Sequence, residues 1–251
     1  MTKAALVTGG ARRIGRRIVE RLAAEGYAVA IHCNGSRDAG EALAADLRRA
    51  GARAAVVQGD LARADDVARL IPEAAAALGS LTLLVNNASE FEPDEVGTLE
   101  PRRFDRHMAV NLRAPAFLTQ DFAAQAPEGA DNLVVNIIDQ RVWKPTPLFF
   151  SYMLSKSALL TATKTMAQAL APRVRVNAIG PGPTLSSPRQ GEEDFRRQYE
   201  AVPLRRSSNP DEVADAILFF AGARSVTGQM LALDGGQHLA WETPDVVGIR
   251  E

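Results

Sequence analysis

One cysteine, Cys33, occurs in 251 residues. A single thiol closes no intrachain disulfide, so a secreted disulfide scaffold is excluded. Cys33 reads as a small buried apolar residue at a strand end rather than a reactive thiol. No apolar run reaches the roughly 18 residues that a transmembrane helix needs. Met1-Thr2-Lys3 leads directly into Ala4–Val7 without an apolar signal segment, which predicts a cytoplasmic protein. An excess of either charge is also missing. Lysine and arginine number 29 against 30 acidic residues, so no broad field marks out a nucleic-acid or membrane partner. His32 and His107 have no metal-ligand spacing, and no metal is expected. There is no linker, repeat or low-complexity tract to divide the chain. Hydrophobic residues make up 46%, enough for one sizeable core.

Short β-branched runs alternate with segments of helical period. Strands are predicted at Ala4–Val7, Ala28–His32, Ala54–Gln58, Leu81–Val85, Leu133–Ile138, Val174–Ile179 and Leu231–Leu233. Helices are predicted at Ile14–Glu25, Glu41–Ala50, Ala64–Leu78, after Pro101, and at Asn111–Gln125, Phe149–Leu170 and Asp211–Ala221. In the first helix Ile14, Ile18 and Leu22 make one apolar stripe. Such alternation implies an α/β fold, a doubly wound parallel sheet with helices on both faces. Two stretches break it: Gly182–Gln198, an irregular segment of a length suited to covering a substrate, and the polar tail His238–Glu251.

Thr8-Gly9-Gly10-Ala11-Arg12-Arg13-Ile14-Gly15 lies between the first strand and the first helix. Glycines there permit close backbone approach to a pyrophosphate, and the helix N-terminus offers free N–H groups. The spacing departs from the common G-x-G-x-x-G pattern. Its place at the first βα junction still points to a nucleotide. At the end of the second strand, His32-Cys33-Asn34-Gly35-Ser36-Arg37 has no acid before Asp38. A carboxylate there would hold a ribose 2′-hydroxyl, whereas Arg12 and Arg37 suit a 2′-phosphate, so NADPH is the predicted cofactor. Asp60, in Gly59-Asp60-Leu61, is a candidate partner for the adenine amino group.

Tyr152-Met153-Leu154-Ser155-Lys156 opens a long helix, and the i,i+4 spacing puts Tyr152 and Lys156 on one face. A free tyrosine has a pKa of about 10. A nearby ammonium is expected to lower it and make a proton donor for a carbonyl or imine that receives a hydride. The pair alone is frequent by chance.

Together, Thr8–Gly15, Asn86-Asn87-Ala88, Asn111, Tyr152/Lys156 and Pro181-Gly182 occur in one order along the chain. In this the chain resembles the short-chain dehydrogenase/reductase family from residue 3 to about 237. The resemblance implies a Rossmann-type, seven-stranded parallel sheet in a single domain. It also implies that Asn111 holds a water in a proton relay to Lys156, and that the protein is a homotetramer. The implied cofactor contacts are Gly9, Arg12, Arg13, Ile14 and Gly15 in the turn, with Asn34, Ser36 and Arg37 after the second strand. Asp60, Leu61, Asn87, Ala88, Pro181 and Gly182 complete them, with Tyr152 and Lys156 at the nicotinamide end.

Three departures narrow the resemblance. Most of the family has a serine thirteen residues before the tyrosine, where this chain has Asp139. Arg13 replaces the middle glycine of the turn, and Asn-Asn-Ala is followed by Ser89-Glu90-Phe91. These features resemble the pteridine reductase branch, which includes the dihydromonapterin reductases. The likeness implies Asp139, Tyr152 and Lys156 as the catalytic group, with Asn111. It implies Arg13, Ser89, Phe91, Asp139 and Tyr152 around the substrate. A carboxylate suits a substrate with N–H groups better than a developing alkoxide, and a flat pterin would stack on Phe91. Two alternatives stand beside pterin reduction. One is a carbonyl reductase acting on a 3-oxoacyl thioester or another ketone, the other a non-catalytic NADP(H)-binding sensor.

Overall fold

The computed structural model describes residues 3–186, 189–243 and 245–248. Strand and helix alternate as β1 (Ala4–Val7), α1 (Arg13–Ala24), β2 (Ala28–Cys33), α2 (Arg37–Arg49), β3 (Ala54–Gln58) and α3 (Ala64–Leu78). There follow β4 (Leu83–Asn86), α4 (Pro101–Met108), α5 (Ala114–Gln125), β5 (Asn132–Ile137) and α6 (Phe150–Leu170). The chain continues through β6 (Val174–Pro181), α7 (Glu192–Glu200), α8 (Pro210–Gly222) and β7 (Met230–Leu233). The seven strands form one parallel sheet in the order β3-β2-β1-β4-β5-β6-β7.

The strands are apolar throughout because both faces are covered. Ala5 and Val7 of β1 pack into the layer under α1, α2 and α8, while Ala4 and Leu6 pack into the layer under α3, α5 and α6. Adjacent side chains thus serve opposite cores, as the period of two requires. Cys33 is buried in the first of these layers, as expected of a small apolar residue. No helix among the described residues is long and apolar enough to cross a membrane.

Most boundaries shift by a residue or two, and some differences are informative. Helix α2 starts at Arg37, four residues before the predicted Glu41, because Asp38 in its first turn complements the helix dipole. Strand β4 begins at Leu83 rather than Leu81, and β6 continues past Ile179 to Pro181, paired to β7. The segment Gly182–Gln198 is not irregular throughout, since α7 occupies its second half. Glu192, Glu193 and Asp194 in the first turn of α7 are the acidic start signal for it.

The sheet order reverses between β1 and β4, which opens a crevice at the C-terminal strand ends. The turn after β1 is compact for steric reasons. A Cβ on Gly15 would overlap the Gly9 carbonyl oxygen and lie 2.7 Å from Asn87 Nδ2. Gly15→Ala should therefore lower stability by about 1–3 kcal/mol and weaken NADPH binding, measured by urea unfolding and fluorescence titration. Unchanged values for both would mean that the turn tolerates a side chain.

Candidate active site

Thr8 and Asn87 join the two sides of the crevice. Thr8 Oγ1 accepts from the N–H of Asn87 (2.9 Å) and Ala88 (3.0 Å), and Asn87 Nδ2 donates to Thr8 O at 2.8 Å. Gly9 has φ +63°, and a Cβ there would stand 3.1 Å from Ala88 Cα. Arg12 precedes α1 in extended conformation without a side-chain cap, which leaves the helix N-terminus open to an anion.

His32, weighed in the sequence only as a metal ligand, has a structural role at the turn. It is buried at the end of β2, where Nδ1 accepts from Gly9 N–H at 3.1 Å and Nε2 lies 3.0 Å from Gly59 O. The carbonyl only accepts, so the proton is on Nε2. The ring thereby links the turn to the Gly59–Asp60 loop. Burial lowers its pKa to about 4 and keeps it neutral. A polar ring inside an apolar strand was the available signal.

Of the predicted cofactor residues, Asn34, Arg37 and Asp60 line a depression of about 470 Å³. Within it Gln58 donates to Asn34 O (2.9 Å) and accepts from Arg37 Nη1 (3.1 Å). Arg13, Ile14, Asn87, Tyr152, Lys156, Pro181 and Gly182 line a separate cleft of about 560 Å³. Gly9, Gly15 and Ala88 form the turn behind it. Arg12, Ser36 and Leu61 line neither cavity, and the Leu61 side chain is buried in the core beneath α3. Arg13 keeps the left-handed backbone of the glycine it replaces (φ +52°). Its guanidinium donates to Leu185 O (3.3 Å) and Ser186 O (3.0 Å) across the cleft.

Helix α6 is held at its start by Asp94, a residue absent from the sequence reading. Asp94 Oδ1 accepts from Ser151 N–H at 3.0 Å, its Oδ2 takes the Ser151 hydroxyl, and its carbonyl accepts from Phe150 N–H at 3.1 Å. Such caps are worth about 1 kcal/mol. One turn on, the Tyr152 hydroxyl donates to Asp139 Oδ2 at 2.8 Å. Asp139 Oδ1 accepts from Arg141 N–H at 2.8 Å. Lys156 Nζ donates to Ile137 O at 2.8 Å and lies 5.7 Å from the Tyr152 ring centroid.

All three groups are shifted by burial. Desolvation raises the Asp139 pKa, against the Arg141 N–H, the Arg141 charge, the Tyr152 hydroxyl and Lys156. Desolvation lowers Lys156 to about 8, with Asp139 opposing. The Tyr152 pKa corrects an expectation: it is raised well above 10, first by burial and then by the Asp139 charge. The expected lowering by Lys156 is absent because the ammonium faces Ile137 O while a carboxylate touches the phenol.

Asn111 lies in a π-helical turn, residues Ala109–Arg113, between α4 and α5. Its amide is fully engaged. Nδ2 donates to Glu90 O and Ser155 Oγ (both 3.0 Å), while Oδ1 accepts from Glu90 N–H (2.8 Å) and Ser89 Oγ (3.3 Å). Phe91 stacks on Phe149 (4.4 Å, 10° between planes) and meets Tyr152 edge-on at 4.7 Å. His107, also buried, orders this loop by accepting from Glu92 N–H at 3.2 Å. His238 pairs with Asp234 Oδ2 at 2.7 Å and packs on Trp143 of its own chain, while Trp241 is exposed. No group of three or more His, Cys, Asp or Glu among the described residues could hold a metal ion.

This arrangement, a phosphate turn at the switch point with Asn111, Tyr152 and Lys156 converging on it, defines a short-chain reductase. A family model described as enoyl-(acyl carrier protein) reductase matches residues 9–238. The chain is 31% identical over 244 residues to the 3-oxoacyl-[acyl-carrier-protein] reductase FabG of Staphylococcus epidermidis, covering 95% of this chain and 100% of that one. The chain therefore belongs to the short-chain dehydrogenase/reductase family. Among solved structures, FolM alternative dihydrofolate reductase 1 from Brucella canis, complexed with NADP, is similar with a TM-score of 0.95. It is 57% identical, and the match covers 97% of each chain. The Brucella suis protein in complex with NADP matches equally well, at 57% identity and TM-score 0.95 over 98% and 100% of the chains. A blue fluorescent protein from a metagenomic library, in complex with NADPH, is 32% identical with a TM-score of 0.86 over 93% and 97%.

His32 has a measurable pH signature. A histidine with a lowered folded pKa contributes full stability above its unfolded pKa of about 6.5 and loses it as pH falls toward 4. That gap amounts to about 3 kcal/mol at about 1.4 kcal/mol per unit. Urea unfolding of the wild type should show this loss relative to His32→Asn between pH 6.5 and 4. Parallel curves for the two proteins would mean that His32 does not carry it.

Proposed function

We propose that this short-chain reductase transfers hydride from NADPH to a C=N bond of a pterin, a dihydropterin or dihydrofolate. The observation that carries the reading is the Tyr152–Asp139 hydrogen bond of 2.8 Å, at a position where most of the family has serine. The 57% likeness to the two alternative dihydrofolate reductases complexed with NADP supports it. The cofactor fits the residues present. The glycine turn has no room for a Cβ at Gly9 or Gly15, the α1 N-terminus is uncapped, and Arg37 lines the depression beyond it.

NADPH supplies the hydride when bound. Lys156 holds the nicotinamide ribose, turning from Ile137 O to do so. Tyr152 gives its proton to the pterin ring nitrogen beside the carbon that takes the hydride. A phenolate next to a carboxylate is costly, and desolvation acts on both groups. On this reading Tyr152 is reprotonated from Asp139, whose pKa burial raises, once the hydroxyl has turned from Asp139 Oδ2 to the ring nitrogen. The carboxylate left behind is stabilised by Lys156 and by the Arg141 N–H. The family resemblance assigns a relay water to Asn111, whose side-chain amide is already fully bonded within the protein. Ser89 and Arg13 bind the pterin edge, and the pterin ring takes the face of Phe91 opposite Phe149, displacing the Arg189 guanidinium that lies over it.

The described parts of the segment after β6, residues 182–186 and 189–198, line this site. Arg13 ties it to the phosphate turn, and Arg189 ties it to Phe91 O (2.6 Å) and Glu92 (2.9 Å). A homotetramer is part of the reading, supported by exposed Phe117 on α5, Leu154 on α6, Phe219 on α8 and Leu231 on β7. Sedimentation velocity should give the tetramer mass, and a monomer would remove this part.

The second reading, reduction of a 3-oxoacyl thioester, is favoured by the likeness to FabG. NADPH oxidation with a panel of dihydropterins and ketones separates the two. Asp139→Ala should lower kcat for dihydropterins by about 100-fold or more while NADPH still binds. Full activity in that variant, or turnover of ketones alone by the wild type, would overturn the pterin reading.

A further inference from the structure

The large cleft is lined by four cations, Arg13, Arg141, Lys156 and Arg189, and by one carboxylate, Asp139. Three of the cations are engaged by the protein. Arg13 donates to the Leu185 and Ser186 carbonyls, Lys156 to Ile137 O, and Arg189 to Glu92. The Arg141 guanidinium makes no ion pair or side-chain hydrogen bond among the described residues. It lies 5.9 Å from the Phe149 ring centroid, and the residue is only half-buried. An arginine held at a cleft by an aromatic face, with its donors unspent, is suited to a carboxylate.

Its position adds to this. Phe149 stacks face to face on Phe91 at 4.4 Å, and Phe91 touches Tyr152 edge-on at 4.7 Å. The series Tyr152, Phe91, Phe149, Arg141 thus leads from the proton-donating hydroxyl along two aromatic rings to a cation. Arg141 and Tyr152 line the same cleft, so a substituent on a bicyclic ring bound beside Tyr152 has Arg141 as a cation on the cleft wall. Phe149 has a left-handed backbone (φ +58°) immediately before α6.

Resting on the pterin reading above, we propose that Arg141 binds the anionic end of the substrate's side arm. The preferred substrates are then pterins whose arm ends in a carboxylate. Arg141 is a specificity-determining residue; its charge also bears on Asp139 and Tyr152, an effect common to all substrates. Its backbone N–H on Asp139 is unaffected by side-chain substitution.

The test compares three substrates at saturating NADPH: dihydrofolate, its analogue with the glutamate carboxylates converted to amides, and a dihydropterin without the arm. In the wild type, kcat/KM for dihydrofolate should exceed that for the amide analogue by about tenfold or more. The difference should lie in KM and shrink as salt is raised. In Arg141→Gln the ratio should fall toward one, and in Arg141→Lys to an intermediate value. A structural role through Phe149 or Asp139 would instead lower both substrates alike and leave the ratio intact, which overturns the proposal. A wild type that treats the two arms equally overturns it without any variant. Turnover of the arm-free dihydropterin in that case would leave the pterin reading standing. No turnover of any of the three would remove that reading and this assignment with it.

Discussion

The tie between Thr8 and Asn87 is the constraint on which the site depends. A parallel sheet whose strand order reverses leaves the C-terminal ends of β1 and β4 side by side with no helix between them. Two loops meeting there bring unpaired backbone groups into a crevice. One hydroxyl accepting from two successive N–H groups, and one amide returning the bond, satisfy them together. The glycines of the turn can then approach Ala88 closely, and His32 secures the outer side by taking the Gly9 N–H. Every functional side chain in the cleft is placed relative to this joint: Phe91 follows β4, Asp139 follows β5, and Pro181 ends β6.

The second requirement is electrostatic. Tyr152 and Lys156 are buried, Asp139 is half-buried beside them, and desolvation acts on each. In isolation such groups would cost several kcal/mol. They are tolerated because every one has a partner at hydrogen-bond distance: a backbone N–H, a phenol or a carbonyl. The same desolvation raises the Asp139 pKa and lowers that of Lys156 to about 8, two opposite shifts beside one phenol.

Much of this was legible in the sequence because the signals are contiguous. All seven strands and the phosphate turn lie in short runs, and Tyr152 and Lys156 are one helical turn apart. Asp139 was legible as a departure at a counted spacing. The rest depends on distant pairs. His32 meets Gly9 and Gly59, Asp94 meets Ser151, and Phe149 meets Phe91; neither periodicity nor motif indicates such contacts. The Tyr152 pKa was misjudged for a related reason. Spacing puts Lys156 on the right face of the helix, but not how far its ammonium lies from the phenol or what else touches it. Helix α7 was missed because its apolar content is small, although its acidic first turn announces it.

Arg13 occupies a backbone conformation that usually calls for glycine, and its guanidinium spans to the loop at Leu185 and Ser186. That reach joins two equilibria. A phosphate that draws the guanidinium toward the turn takes it away from the two loop carbonyls, and a loop that holds it weakens the turn's hold on the phosphate. Linkage makes the effect reciprocal and equal in free energy. On the reading in which Arg13 holds a cofactor phosphate, cofactor affinity and loop order share one coupling free energy, and a substitution in the loop changes the hold on the nucleotide without touching it.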